Sequence, residues 1–155
     1  MNTKAQLFGE HFFPRQAIDA QAHLLRLMVP AGRALFAAIF IMSSFGHFTR
    51  KAIDYAAQVG VPFASFSVPL WGVIALLGGL SVLLGYKARA GAWLLILFLV
   101  PVTLLMHNFW AVQDPTLAEA QRIMFMKNVT MIGAAMMITF FGAGPLSLDD
   151  KLRRD

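Results

Sequence analysis

The sequence predicts an all-α membrane protein, a four-helix transmembrane bundle with its N- and C-termini in the cytoplasm. Of its 155 residues, 58% are hydrophobic and only 14% are charged. Soluble domains contain about 45–50% apolar and about 25% charged residues, so the apolar content exceeds what one soluble core needs. The apolar residues form long continuous runs rather than short alternating segments, which excludes a β-barrel.

Four apolar runs are long enough to cross a bilayer, whose ~30 Å hydrocarbon core needs ~20 apolar residues of helix. They define a transmembrane domain over residues 27–143. We expect an N-terminal cytoplasmic or interfacial segment over 1–26 and a polar, exposed cytoplasmic tail over 144–155. The four spans lie at about 27–48, 68–86, 90–110 and 123–141.

The segments outside the spans carry local signals. Residues 16–28 place their apolar side chains on one face, which predicts an interfacial helix. The charges among the first 23 residues argue against a cleavable signal peptide. Residues 51–59 can form a short amphipathic surface helix. The five-residue turn 85–89 makes the second and third spans antiparallel neighbours. Asp114 is a helix cap, followed by Pro115 at the first helical position.

Positive charges set the orientation, since cytoplasmic loops carry an excess of Lys and Arg. Nine of the 13 basic residues fall on the side of the termini, and four fall on the opposite side. The termini are therefore predicted to be cytoplasmic. The four outer cations are Arg50, Lys51, Arg122 and Lys127.

Charge and composition also exclude several functions. The net charge of +5 follows from this loop distribution, so we expect no nucleic-acid partner. The absence of cysteine excludes disulfides, thiol catalysis, iron–sulfur clusters and covalently attached c-type haem. The spans contain no Asp or Glu, which counts against an ion-coupled transporter.

Polar residues from three helices gather at the predicted outer face. Each alone is typical of an interfacial residue, but together they suggest a shallow pocket for a quinone, whose carbonyls the imidazoles would hydrogen-bond. Two histidines on separate helices also suit haem, although no spacing motif supports it, and we expect no metal site. The candidates are His47, His107, Asn108, Trp110, Lys127 and Asn128.

Arg33 lies within the first span, about a third of the way in from the cytoplasmic face. A buried guanidinium either snorkels to the surface or faces the bundle, where it binds an anionic or carbonyl-bearing group. Matching depths on the second span places Ser81 near it. Pro101 is expected to kink the third span.

Small residues are spaced for close helix contact in three spans, and we interpret them as packing positions. They are Ala34 and Ala38, Ala75 and Gly79, and the group Gly133, Ala134 and Ala135.

A series of short segments covers about Arg33 to Asp149 in a recognisable order and spacing. The segments are Arg33 with Gly46 and His47, residues 55–62, residues 77–80 with Gly85 and Arg89, residues 107–110, residues 124–128 with Gly133, and residues 142–149.

With this series the chain resembles the DoxX family of small bacterial membrane proteins. The resemblance implies a four-helix fold in the bacterial inner membrane and a link to redox work, including thiosulfate:quinone oxidoreduction and oxidative-stress complexes. Family members often have Lys at the position of His47 and Glu at that of Ala75. The loss of that Glu removes a natural partner of Arg33.

The leading hypothesis is a redox-linked, quinone-associated membrane component, with electrons supplied by a partner or a bound cofactor. The chain has no complete catalytic constellation, so any enzymatic role would be that of a subunit of a quinone-linked oxidoreductase. The alternative is a non-catalytic membrane subunit or assembly partner of a larger complex. A small oligomeric transporter is the third. The expected partners are the bilayer and either a protein partner or further copies of the chain.

Overall fold

The computed structural model describes residues 15–155, with side chains from residue 21 onward. Within this range every regular element is helical, and no strand is present. Two 3₁₀ turns, Phe45–Phe48 and Phe109–Ala111, complete the structure. The α-helices are α1 (Arg15–Ser44), α2 (Arg50–Gln58), α3 (Ala64–Leu84), α4 (Ala88–Met106), α5 (Pro115–Phe141) and α6 (Leu148–Leu152).

Four helices, α1, α3, α4 and α5, are long and apolar enough to cross a membrane, which confirms the predicted four-helix membrane bundle. We call the end with His47 and His107 the histidine end. The end with Arg33 and the α3–α4 turn is the basic end. Of the predicted N-terminal segment 1–26, residues 1–14 lie outside the part of the chain that the structure describes.

All four spanning helices begin earlier than hydrophobicity indicated, and two of them, α1 and α5, begin much earlier. Residues 16–28 do not form a separate helix, since α1 begins at Arg15 and continues through Pro30 into the first span. α5 begins at Pro115, because the Asp114 carboxylate accepts a hydrogen bond from the Leu117 amide at 2.8 Å. That cap confirms the predicted helix start, which lies in a polar stretch that hydropathy alone would exclude.

The bundle is built around α3 and α4. α3 packs against α1 and α4, and α5 packs against α4. Four alanines with no exposed surface pack at the centre beside the buried side chains of Phe40, Leu95 and Leu99; they are Ala37, Ala75, Ala92 and Ala135. Many other large apolar side chains face outward, such as Leu35 at 79% exposure. Lipid tails are as apolar as a protein core, so these outward side chains contact the bilayer.

The close approach of α3 and α4 depends on glycine. A Cβ added to Gly78 would lie 2.7 Å from Leu95 Cδ2 and 3.0 Å from the Gly91 carbonyl oxygen. A Cβ added to Gly91 would collide with Ser81. The two backbones therefore pack at a distance that only hydrogen side chains allow.

The small-residue predictions hold for only one helix in full. Ala75 and Gly79 are buried in α3, as expected. In α1 the buried small residue is Ala37, while Ala34 is exposed. In α5 Gly133 has open space around it, and Ala135 is the buried residue. Small-residue spacing locates a face only to within a residue or two.

The replacement Gly78→Ala should lower bundle stability by about 1–3 kcal/mol, because the new methyl group must displace Leu95 or separate the two helices. Gly133→Ala is the matched control, since its Cβ would meet nothing within 4 Å. Thermal unfolding in detergent measures both. Equal losses for the two variants would contradict the close-packed α3–α4 contact.

The predicted orientation can be tested with single cysteines, because the chain contains none of its own. A membrane-impermeant maleimide added to intact spheroplasts should label Gln113→Cys, at the exposed histidine end. It should label Asp155→Cys only after the membrane is opened. The reverse pattern would show that the basic end faces outward.

Candidate functional site

A cavity of about 480 Å³ opens at the histidine end of the bundle. Its walls come from the end of α1, the following 3₁₀ turn, α2, the start of α3 and the last turns of α4. Most of the lining is apolar. The main lining residues are Ser43, His47, Thr49, Lys51, Ala52, Tyr55, Ala56, Val68, Trp71, Pro101, Leu105, Met106 and His107.

The chain turns sharply where α1 ends, and this turn directs His47 into the cavity wall. The Thr49 hydroxyl donates to the Gly46 carbonyl at 2.7 Å and accepts from the Ala52 amide at 3.3 Å. Thr49 thereby closes the 3₁₀ turn and caps α2. Gly72 of α3 makes room for the histidine, since a Cβ there would lie 2.7 Å from His47 Cβ.

α2 is the amphipathic surface helix that the sequence indicated over 51–59, and it forms the outer wall of the cavity. Ala56 is buried against α3, and Tyr55 is half exposed while lining the cavity. Sequence reasoning did not select Tyr55, Lys51 or Trp71 as site residues. The amphipathic pattern of α2 was the available signal for the first two.

The hydrogen bonds of the two histidines constrain which ring nitrogen carries the proton. His47 Nδ1 lies 3.0 Å from the Ser43 carbonyl oxygen, which only accepts. His107 Nδ1 lies 2.7 Å from the Gln121 side-chain oxygen, also an acceptor. The Ser43 carbonyl fixes this for His47, whose Nδ1 carries a hydrogen and whose Nε2 is an acceptor in the neutral ring. His107 has the same tautomer when the Gln121 amide presents its oxygen.

This arrangement revises the expected ligand chemistry. A quinone carbonyl needs a donor, which a neutral ring with this tautomer does not provide at Nε2. In the neutral form with this tautomer, the two imidazoles suit a ligand that presents hydroxyl or N–H groups. His47 is further held by an edge-to-face contact with Phe98, with ring centroids 5.6 Å apart.

The other four predicted residues of the outer-face cluster do not line this cavity. Trp110 is 60% exposed and packs edge-to-face against Phe109 and Phe125. Lys127 is exposed, with Nζ 3.2 Å from the Met124 sulfur.

Asn108 and Asn128 are also separate from the cavity. The Asn108 carbonyl accepts from the Ala111 amide within a 3₁₀ turn, and Asn128 is 5% exposed on α5. The physical reason for the division is that α5 packs on α4 and the Phe109–Ala111 turn packs on α5, whereas the cavity lies between α4 and the α1–α3 side.

Arg33 faces the protein and not the lipid, with 6% of its surface exposed. Its Nη1 donates to the Ala143 carbonyl at 3.1 Å, and Nη2 donates to the Leu146 carbonyl at 2.7 Å. Matching depths placed Ser81 near Arg33, but Ser81 is not among its hydrogen-bond partners. The Ser81 hydroxyl instead donates to the Tyr86 carbonyl at 2.6 Å, closing the α3–α4 turn.

The C-terminal segment folds back onto the basic end and is not a free, exposed tail. Both Asp149 carboxylate oxygens accept backbone hydrogen bonds, from Lys87 at 2.8 Å and Ala88 at 3.0 Å. The Asp149 amide donates to the Gly85 carbonyl at 2.8 Å. A carboxylate at these positions caps the N-terminus of α4 and interacts favourably with the helix dipole.

No group of three or more His, Asp or Glu side chains within the described residues is placed to hold a metal ion.

Comparison with known proteins identifies the family of this chain. The model of the SURF4 family matches residues 19–154. The chain belongs to the SURF4 family. The expected DoxX membership is therefore wrong, and the redox association that it implied loses its support.

Relatives within this comparison are themselves membrane proteins. The inner membrane protein YqjF of Escherichia coli is 30% identical over 128 residues, covering 81% of this chain and 92% of its own length. The inner membrane protein YphA of the same species is 26% identical, covering 75% of this chain and 85% of its own. These relatives and the four spanning helices confirm a multi-pass protein of the bacterial inner membrane.

A more distant relative is the yeast ER-derived vesicles protein ERV29 of Saccharomyces cerevisiae. It is 29% identical over 79 residues, which are 51% of this chain and 25% of its own length. No solved structure matches the chain.

Asp149→Ala should destabilise the protein by about 1–3 kcal/mol, because two backbone amides at the start of α4 lose their acceptor. Asp155→Ala, which removes an exposed carboxylate six residues later, is the control. Thermal unfolding in detergent measures the difference. If both variants unfold at the wild-type temperature, the cap contributes nothing to stability.

Proposed function

We propose that this SURF4-family membrane protein binds a small lipid-soluble molecule with hydroxyl groups in the cavity at its histidine end. One observation carries the proposal. His47 and His107 line the same apolar cavity, and both direct Nδ1 to an acceptor of the protein. Such a pair presents two hydrogen-bond acceptors to a ligand with two donors.

The size and lining of the cavity favour a ligand of this class. A volume of about 480 Å³ falls within the range of roughly 300–1,000 Å³ typical of small-molecule sites. Trp71 and Tyr55 supply aromatic surface, while Leu105 and Met106 supply flexible apolar contacts. A flat ring with hydroxyl groups would use all of these features.

The quinol form of a membrane quinone is the redox version of this proposal. Its two hydroxyls would donate to the histidines, which would accept two protons when the quinol is oxidised. The two electrons released would pass to a partner protein, since the chain has no cysteine for an iron–sulfur cluster. This version rests on the cavity residues alone, without support from the family.

A second candidate is a non-catalytic membrane subunit. α5 packs against α4 but exposes much of its remaining surface, including Met126, Met137 and Phe140. Flexible Met side chains adapt to varied partner surfaces. This function predicts a stoichiometric protein partner and no bound small molecule after gentle extraction.

His47→Ala and His107→Ala should each weaken ligand binding about tenfold or more, since each removes a hydrogen bond in an apolar site. His23→Ala, on an exposed part of α1, is the matched control. The measurement is mass spectrometry of small molecules retained after extraction in mild detergent, followed by titration with a quinol analogue. Unchanged retention in both cavity variants would overturn the proposed site.

A variant that fills the cavity tests the contribution of its volume to binding separately from that of the two histidines. Ala52→Phe places a ring at the cavity wall without altering either imidazole. It should abolish ligand retention while the protein still folds, as judged by its unfolding temperature. Retention at the wild-type level would place the ligand elsewhere and leave the partner-subunit function as the better candidate.

A further inference from the structure

We propose a second binding site at the basic end, for the phosphate of an anionic glycerophospholipid. The site is a groove of about 730 Å³ between α1, the end of α3 and the C-terminal segment with α6. Its charged lining residues are Arg33, Asp150, Lys151 and Arg154. Three cations against one carboxylate leave a surplus of two positive charges.

The first argument comes from Arg33. Its side chain is more than nine-tenths buried, and its two hydrogen-bond partners are neutral carbonyl oxygens. Among the described residues, its buried Nε has no hydrogen-bond partner. The Asp149 carboxylate acts on this guanidinium through space but does not hydrogen-bond to it, and an anion in the groove would add a direct charged partner.

The second argument comes from two exposed cations near the end of the chain, Lys151 in α6 and Arg154 two residues beyond that helix. Arg154 pairs with Asp150 at 2.7 Å, so that carboxylate is already used. Lys151 is exposed on the same groove. A phosphate between Lys151 and Arg33 would meet one flexible and one rigid cation, a combination suited to phosphate oxygens.

The apolar part of the groove favours a lipid over a soluble phosphate. Leu83, Leu84 and Pro30 line it beside the charges, and Leu84 is 52% exposed. The guanidinium of Arg33 lies against Gly85, at the membrane boundary where α3 ends. Basic pockets between helices at this level are typical sites for anionic head groups.

The groove has a matched counterpart on the other side of α6. Lys87, Arg89 and Arg153 line that second groove, which also contains the Asp149 carboxylate. Arg153, the residue directly after α6, therefore carries the same charge close to Lys151 but faces the other groove. It separates a specific effect from a general loss of positive charge.

The test is a titration of the detergent-purified full chain with phosphatidylglycerol, followed by the unfolding temperature. Lys151→Gln should weaken the apparent affinity about fivefold, the effect expected for one cation at the membrane surface. Asp150→Asn should strengthen it, because it frees Arg154. Arg153→Gln should leave it unchanged.

Three results would overturn the proposal. An equal rise in unfolding temperature with phosphatidylcholine and with phosphatidylglycerol would show a general lipid effect. Glycerol phosphate alone reproducing the shift would show a soluble-anion site. An equal loss for Lys151→Gln and Arg153→Gln would show that only net charge matters. The His47 and His107 variants should bind phosphatidylglycerol normally, since their cavity lies at the opposite end.

Discussion

The buried guanidinium of Arg33 constrains the basic end of the bundle. Its hydrogen bonds to the Ala143 and Leu146 carbonyls hold the C-terminal segment against the α3–α4 turn. That position brings Asp149 onto the amides at the start of α4. Gly85 is part of the same constraint, because a Cβ there would collide with Arg33 and Ser147. Burial of the Arg33 charge thus fixes the α3–α4 turn, the start of α4 and the C-terminal segment relative to one another.

The two ends of the molecule are built on different principles. At the basic end, the chain covers itself with its own C-terminal segment and satisfies its backbone groups internally. At the histidine end, α1 ends at Ser44 and the short helix α2 follows it. A cavity lies between these two helices and α3 and α4. Gly72 allows His47 to reach this cavity, just as Gly85 allows Arg33 to reach the tail.

The candidate site was predictable in part. Depth along the spans was enough to bring His47 and His107 to one end, and both line the cavity. The same reasoning failed for Trp110 and Lys127, because depth does not specify the direction in which a helix faces. Short segments in a familiar order were likewise too weak to identify the family, which the match over 19–154 assigns to SURF4.

The sequence by itself determined the four spans, their antiparallel order and the capped start of α5, because these follow from hydrophobic length and local hydrogen bonding. Tertiary structure decided which groups Arg33 hydrogen-bonds to, where the C-terminal segment packs and which residues line the cavity. Those features depend on rotation about helix axes and on contacts between residues far apart in the chain, 113 positions for Arg33 with Leu146 and 62 for Lys87 with Asp149. Local chemistry carries no information about either.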